Sequence, residues 1–127
     1  MTVLIDSDIL IEVLRGRDAA ILARWTELGG SGDFILCSPV SLAELWHGAR
    51  PREFQAVRDL FGALICVAID SGVGRQAGEY LRAYHKSHTV ELGDALIAAT
   101  AKQQKAILWT RNRKHYPMPG LEFYESS

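Results

Sequence analysis

The stretch that decides the fold is residues 91–101, which read Glu-Leu-Gly-Asp-Ala-Leu-Ile-Ala-Ala-Thr-Ala. From Ala95 to Ala101 every residue except Thr100 is apolar, and most of them are small. A helix that is apolar on all sides is usually buried, and small side chains let its neighbours approach closely. The stretch therefore predicts a buried helix around which the rest of the chain is organised.

This buried helix begins with a carboxylate. Asp94 opens it, and a second acid, Glu91, lies one turn earlier. Ionised acids are almost never fully buried without a partner or a metal ion. A helix N-terminus also favours a negative charge through its dipole, which explains Asp94 locally. The choice between these explanations depends on whether other acids reach the same place.

Length and composition set the outer limits. With 127 residues the chain fits one domain that buries about two thirds of its unfolded surface. No apolar run approaches the roughly 20 residues of a membrane span, and the chain begins without the pattern of a signal peptide. A cytoplasmic protein without membrane association is therefore expected, and the last three residues, 125–127, are expected to be frayed. Cys37 and Cys66 fall in predicted core strands and are interpreted as buried hydrophobic thiols without a disulfide.

The net charge of −1 argues against a protein that binds nucleic acid through a broad positive field. It leaves room for a local basic patch beside an acidic site. One such patch is the turn that contains Arg111, Arg113 and Lys114, which could neutralise a phosphodiester backbone.

Apolar runs typical of strands alternate with helical patterns along the whole chain. The predicted strands are residues 3–5, 34–37, 65–69, 106–109 and 121–124. Predicted helices fill the segments between the first four of these strands, and the buried helix at Asp94 leads into the fourth. This alternation predicts an α/β domain with a parallel sheet covered by helices on both faces.

Four polar side chains are predicted to meet at one edge of this sheet. Asp6, Glu44 and Asn112 each follow a strand, and Asp94 opens the helix before the last of these strands. Right-handed crossovers place the carboxyl ends of parallel strands at the same edge, where ligands bind in open α/β sheets. Three carboxylates and an amide should therefore converge from separate segments.

Helix capping offers a local alternative for each of the acids. Asp6 or Asp8 can cap the first helix, and Ser41 with Glu44 forms the spacing of a capping box. Asp70 is interpreted as the cap of the helix that follows the third strand.

Convergence of the acids is the costlier arrangement. Two unit charges about 4 Å apart repel by about 4 kcal/mol at an effective dielectric of about 20, so such a cluster needs a cation or a raised pKa. Oxygen ligands without cysteine or paired histidine favour Mg²⁺ or Mn²⁺. Such an ion can hold a phosphate oxygen and generate hydroxide from bound water.

The chain also resembles a known family in four places. These are Asp6, the segment Ser41-Leu42-Ala43-Glu44-Leu45-x-x-Gly48, the segment Asp94-Ala95-Leu96-Ile97-Ala98-Ala99-Thr100-Ala101, and Thr110-Arg111-Asn112. They resemble the four motifs of the PIN-domain ribonucleases, and most closely those of VapC-type toxins of prokaryotic toxin–antitoxin pairs. The resemblance covers essentially the whole chain.

The resemblance implies one PIN domain at residues 1–127, a three-layer α/β/α fold with a central parallel sheet of four to five strands. It also implies hydrolysis of RNA phosphodiesters that depends on Mg²⁺ or Mn²⁺. Homodimerisation and inhibition by a VapB-type antitoxin are implied as well, with operator DNA bound only through the antitoxin.

The resemblance further implies a role for individual residues. Asp6, Glu44 and Asp94 would bind the metal and orient the attacking water, and Asn112 would take the fourth catalytic position. The supporting residues would be Ser7, Asp8, Thr110 and Glu91. Two positions depart from the pattern, because many relatives have Asn in place of Asp8 and Asp in place of His115, which leaves the fourth ligand and the number of metal ions open.

Other functions remain as alternatives. A PIN nuclease of RNA processing without an antitoxin would have the same motifs, and a catalytically silent PIN domain would bind RNA or protein. A phosphoacceptor receiver domain would use Asp70 and Thr110 but would leave Glu44 and Asp94 without a role.

Overall fold

The computed structural model describes residues 1–124, so the expectation of a frayed end at residues 125–127 lies outside the described residues. Its centre is a four-stranded sheet with the order β3-β2-β1-β4. Every neighbouring pair is parallel. The strands are β1 at Thr2–Ile5, β2 at Phe34–Cys37, β3 at Ile65–Cys66 and β4 at Ile107–Trp109.

Helices connect these strands and cover both faces of the sheet. They are α1 at Ser7–Arg15, α2 at Ala19–Gly29, α3 at Pro39–Gly48, α4 at Phe54–Gly62, α5 at Ser71–His88 and α6 at Leu92–Gln104. Short 3₁₀ turns occur at Pro51–Glu53 and Arg113–His115. Within residues 1–124, no helix has the length and apolar character that crossing a membrane requires.

Two hydrophobic cores lie on opposite faces of the sheet, as the pleat of its strands requires. Leu4, Leu36 and Leu108 face the core made with α5 and α6. Val3 and Ile5 face the core made with α1 to α4. This arrangement confirms the three-layer α/β/α architecture with a central parallel sheet.

The register of the two central strands sets the position of the acids. Ile5 pairs with Trp109, and the amide of Asp6 donates to the carbonyl of Trp109 at 2.9 Å. Asp6 and Thr110 therefore leave adjacent strands side by side at the carboxyl edge of the sheet.

Helix α6 has the buried character that its sequence predicts. Its buried residues are Ala95, Ile97, Ala98, Ala99, Thr100 and Ala101. A Cβ atom added at Gly93 would lie 3.3 Å from Cγ1 of Val40, which is tighter than an ordinary van der Waals contact. The absent side chain of Gly93 thus lets the first turn of α6 approach α3, the helix that carries Glu44.

Two predicted strands are shorter than expected. The third contains only Ile65 and Cys66, because it is the outer strand of the sheet and pairs with β2 at only two residues. The segment 121–124 makes a single parallel bridge, between Leu108 and Phe123.

The two cysteines differ in exposure. Cys37 is buried, as predicted, but Cys66 is exposed, so its interpretation as a buried thiol was wrong. Both thiols are free, and burial together with neighbouring Cys66 raises the pKa of Cys37 to about 12.

Candidate active site

A groove of about 390 Å³ lies at the carboxyl edge of the sheet. It is lined by Asp6, Ser7, Asp8, Ile11, Glu44, Glu91, Gly93, Asp94, Ile97, Asn112 and His115. We call it the acidic groove. It brings together the three predicted carboxylates, the predicted amide and two further acids, from β1, α1, α3, α6 and the turn after β4.

Asp6 is the most buried acid of the groove and is held on both oxygens. Its Oδ1 accepts from the amide of Ser7 at 2.8 Å. Its Oδ2 accepts from Thr110 Oγ1 at 2.8 Å and from the hydroxyl of Tyr116 at 2.9 Å. Burial raises the pKa of Asp6, these donors lower it, and the charge of Asp94 raises it further. The carboxylate is thus fixed in one orientation.

Asp8 connects α1 to the turn after β4. Its Oδ2 accepts from the amide of Arg111 at 3.0 Å and from Nδ2 of Asn112 at 3.1 Å. Burial, followed by the charge of Asp6, raises the pKa of Asp8 to about 6. The structure therefore places Asn112 against a carboxylate, which orients its amide group in the groove.

Glu44 reaches the groove through a serine pair. The hydroxyl of Ser7 donates to Glu44 Oε1 at 2.8 Å and also lies 2.8 Å from the hydroxyl of Ser41. The capping-box interpretation of Glu44 was wrong, because α3 begins three residues earlier than the pattern suggests. Ser38 is its N-cap, and its side chain accepts from the amide of Val40. Glu44 thus lies beyond the first turn and lines the groove.

Asp94 has both of the roles that its sequence position suggested. Its Oδ2 accepts from the amide of Glu91, the N-cap residue of α6, at 3.1 Å. The same oxygen lies 3.5 Å from Nδ1 of His115. The bond to the amide of Glu91 stabilises the start of the helix. The charge of Asp94 also raises the pKa of Asp6, so Asp94 is part of the acidic cluster as well. Glu91 lines the groove beside it.

Sequence reasoning missed Tyr116. Its side chain is buried, and burial together with the charge of Asp6 raises its pKa. The sequence offered only an indirect signal. A buried carboxylate needs hydrogen-bond donors, and a tyrosine can supply a hydroxyl donor while its ring packs in the apolar core.

Residues 3–121 match the family model of the PIN domain. The chain belongs to the PIN-domain family. Ribonuclease VapC10 of Mycobacterium tuberculosis is 39% identical over 117 residues, which cover 91% of this chain and 86% of that protein. Ribonuclease VapC19 of the same organism is 36% identical over 121 residues, covering 94% and 96%.

The fold is shared with solved structures. The structure of DNA-bound VapBC from Salmonella typhimurium has a TM-score of 0.81 to this PIN domain at 19% identity, covering all of this chain and 99% of that one. With the relatives above, this confirms that the chain is a PIN domain of the VapC type. Asp70, the acid that a receiver domain would phosphorylate, instead caps α5 through the amide of Val73 at 2.9 Å.

Two arginines of the basic turn of this PIN domain, Arg111 and Arg113, are directed to partners outside the lining of the acidic groove. The guanidinium of Arg111 lies 3.5 Å from Glu12 Oε1 and 3.8 Å from Asp18 Oδ2. The guanidinium of Arg113 lies 4.9 Å from the centre of the Phe123 ring, and Lys114 is exposed. The sequence did not indicate this direction, nor that Glu12 is buried as a partner of Arg111.

The donor set of the groove fits a hard divalent cation. The carboxylates of Asp6, Asp8, Glu44 and Asp94 offer oxygen ligands of the kind that Mg²⁺ and Mn²⁺ prefer. Burial, and to a smaller extent the charge of a neighbouring acid, raises the pKa of Asp6 and of Asp8, and a bound cation would offset both effects. Among residues 1–124, no three side chains of His, Cys, Asp or Glu are gathered tightly enough to hold one ion as they stand.

Proposed function

We propose that this PIN domain is the toxin of a type II toxin–antitoxin pair and hydrolyses RNA phosphodiester bonds with Mg²⁺ or Mn²⁺. The observation that carries the proposal is the meeting of Asp6, Glu44 and Asp94, from three separate elements, in one groove of about 390 Å³. Similarity to relatives named ribonucleases supports RNA as the substrate.

Asp6, Glu44 and Asp94 would hold the ion, and Asn112 would take the fourth catalytic position. When bound, such an ion polarises a phosphate oxygen and lowers the pKa of its water. Asp8 orients Asn112 through the bond at 3.1 Å between Oδ2 and Nδ2. The orientation of the Asn112 side chain is thus set by the protein before a substrate arrives, which favours efficient positioning.

Three hydroxyl groups hold two of the acids of this site by hydrogen bonds. Those of Thr110 and Tyr116 hold Asp6, and that of Ser7 holds Glu44. The hydroxyls of Thr110 and Tyr116 lower the pKa of Asp6 and so favour its ionised form, which is the form that binds a metal. Their role is to position the metal ligands.

The partners follow from the same family relation. We propose that a VapB-type antitoxin neutralises this PIN domain in the cytoplasm and that operator DNA is bound only through the antitoxin. The neighbour from Salmonella typhimurium, solved as VapBC on DNA, supports this arrangement. A homodimer is proposed on the family relation alone.

The catalytic proposal is tested by cleavage of a bulk RNA preparation with Mg²⁺. We expect the parent chain to cleave it, and Asp6→Asn and Asp94→Asn to lose at least about 100-fold in rate, because each loses a charged metal ligand. Asp70→Asn is the matched control, since it removes an equal charge from the N-cap of α5 and should cleave normally. Undiminished cleavage by both groove variants would refute the proposal.

Two further observations separate the alternatives. A short frame for a DNA-binding antitoxin directly upstream of this gene supports the toxin, and its absence favours an RNA-processing nuclease. Calorimetry that detects neither Mg²⁺ nor Mn²⁺ binding would favour a catalytically silent domain.

A further inference from the structure

A second cavity, of about 500 Å³, lies beside the acidic groove, between α2 and the turn after β4. We call it the arginine cavity. It is lined by Asp18, Ala20, Ile21, Arg24, Trp109, Thr110, Arg111 and Arg113. None of the catalytic residues proposed above is among them.

The charge of the arginine cavity is positive. Its lining contains three arginines, Arg24, Arg111 and Arg113, and one acid, Asp18. Each guanidinium presents a planar set of five N–H donors, which matches the oxygens of a phosphate group. The lining thus carries more positive than negative charge, while Glu12 and Glu27 lie against Arg111 and Arg24 from outside the lining.

The Arg111 side chain is held in place by Glu12, which is not part of the lining of the arginine cavity. Oε1 of Glu12 lies 3.5 Å from Nη2 of Arg111 and accepts from Nη2 of Arg17 at 2.7 Å. Glu12 is buried, and a buried carboxylate between two arginines is a strong constraint because it must stay paired. Glu12 thus holds the guanidinium of Arg111 at the arginine cavity before any ligand binds.

The remaining wall is apolar. Ala20 and Ile21, from the first turn of α2, face Trp109 from the end of β4. Arg24 lies one turn further along α2, 5.8 Å from the centre of the Tyr124 ring and 3.5 Å from Oε2 of Glu27. The cavity thus combines cationic side chains with an apolar wall, and its volume is typical of small-molecule sites. Such a cavity suits a ligand that carries both a phosphate and an aromatic ring.

One backbone turn separates the arginine cavity from the acidic groove. The hydroxyl of Thr110 donates to Asp6, and Nδ2 of the Asn112 side chain donates to Asp8, and both acids line the groove. Arg111, between the two donors in sequence, extends to Glu12 and Asp18 on the cavity side. A single strand that crosses this turn would present successive phosphates to both.

We propose that the arginine cavity binds a nucleotide of single-stranded RNA that flanks the cleaved bond, with its phosphate on Arg24, Arg111 and Arg113. The inference rests on the proposed function, since the flanked bond is the one cleaved in the acidic groove. It adds Arg24, on a helix that carries no motif residue, to the substrate contacts.

The test measures binding without cleavage. In an Asp94→Asn background with Mg²⁺, a fluorescently labelled 12-nucleotide single-stranded RNA is titrated at several salt concentrations, and its anisotropy is followed. We expect Arg24→Gln to weaken binding by about 3- to 10-fold and to reduce the salt slope by about 0.7, which is the loss of one phosphate contact on a single strand. Arg24→Lys should keep the slope.

Arg75→Gln is the matched control. Arg75 lies on α5 in an ion pair with Glu79 at 3.6 Å, comparable to the pair of Arg24 with Glu27 at 3.5 Å. It should bind RNA like the background, and thermal unfolding should show all variants folded.

Three outcomes would overturn the proposal. If Arg24→Gln binds RNA like Arg75→Gln while the parent chain cleaves RNA, the arginine cavity is not a substrate site, but the proposed function stands. If Arg24→Gln keeps its RNA affinity and instead loses binding of a VapB-type antitoxin, the cavity belongs to the protein partner. If the parent neither binds nor cleaves RNA, the proposed function fails first.

Discussion

Replacing Asp8 by Asn should stabilise the metal-free protein, and only above acidic pH. The folded chain raises the pKa of Asp8 from its ordinary value of 3.8 to about 6, chiefly through burial and then through the charge of Asp6. The folded state therefore binds this proton more tightly than the unfolded state does. The resulting stability is fully present below about pH 4 and is lost as the pH rises through 6.

The size of the effect follows from the same shift. A rise from 3.8 to about 6 corresponds to up to about 3 kcal/mol in the free energy of unfolding. Partial exposure of the side chain makes this an upper figure. Asn keeps an oxygen that can accept from the amide of Arg111 and has no carboxyl proton to lose.

Urea denaturation in EDTA at several pH values from 4 to 8 measures the effect. We expect the stability of Asp8→Asn relative to the parent to increase by up to about 3 kcal/mol across this range. Asp70→Asn is the control, because the amide of Val73 and the side chain of Gln103 lower the pKa of Asp70 from 3.8, so the stability of this variant relative to the parent should not increase over this pH range. A stability difference between Asp8→Asn and the parent that does not change with pH would refute the reasoning.

Three further substitutions test packing and hydrogen bonding, each by urea denaturation at neutral pH. Tyr116→Phe removes a buried donor to Asp6 and should lower the free energy of unfolding by about 1–3 kcal/mol; an unchanged value would contradict the role of this bond. Ala98→Leu overfills the fully buried face of α6 and should lower it by about 1–3 kcal/mol, whereas a neutral result would mean that α6 has room. Gly16 ends α1 with φ +65°, so Gly16→Ala should lower it by about 1–2 kcal/mol, and no loss would contradict a left-handed cap.

The parts of the fold that could be predicted were those set by sequence period and by the handedness of crossovers. Alternating strands and helices placed Asp6, Glu44 and Asn112 at one sheet edge, and the structure brings them into one groove. The apolar run from Ala95 to Ala101 predicted its own burial because no face of it suits water.

The parts that could not be predicted depend on tertiary neighbours. The side chain of Arg111 extends to Glu12 and Asp18, and nothing in the local pattern shows that this arginine is held by a buried acid of α1 and by the N-cap acid of α2. Tyr116 reaches Asp6 across 110 positions of sequence. Such contacts arise only when separate elements pack.

The predictions of strand length and of helix capping were wrong for a related reason. The segment 65–69 is apolar throughout, but strand pairing ends after Cys66 because a strand lasts only as long as its partner continues beside it. Glu44 matched a capping box, but Ser38 had already capped α3. In both cases a locally sufficient pattern gave way to the arrangement of neighbouring elements.

The central claim is that the converging carboxylates hold a divalent ion, and direct binding of Mn²⁺ to EDTA-treated, dialysed protein tests it most directly. Calorimetry should show that the parent and Asp70→Asn bind Mn²⁺ alike, and that Asp6→Asn and Asp94→Asn bind it at least about 10-fold more weakly. Equal Mn²⁺ affinity in the parent and in both groove variants, with all four proteins folded, would contradict it.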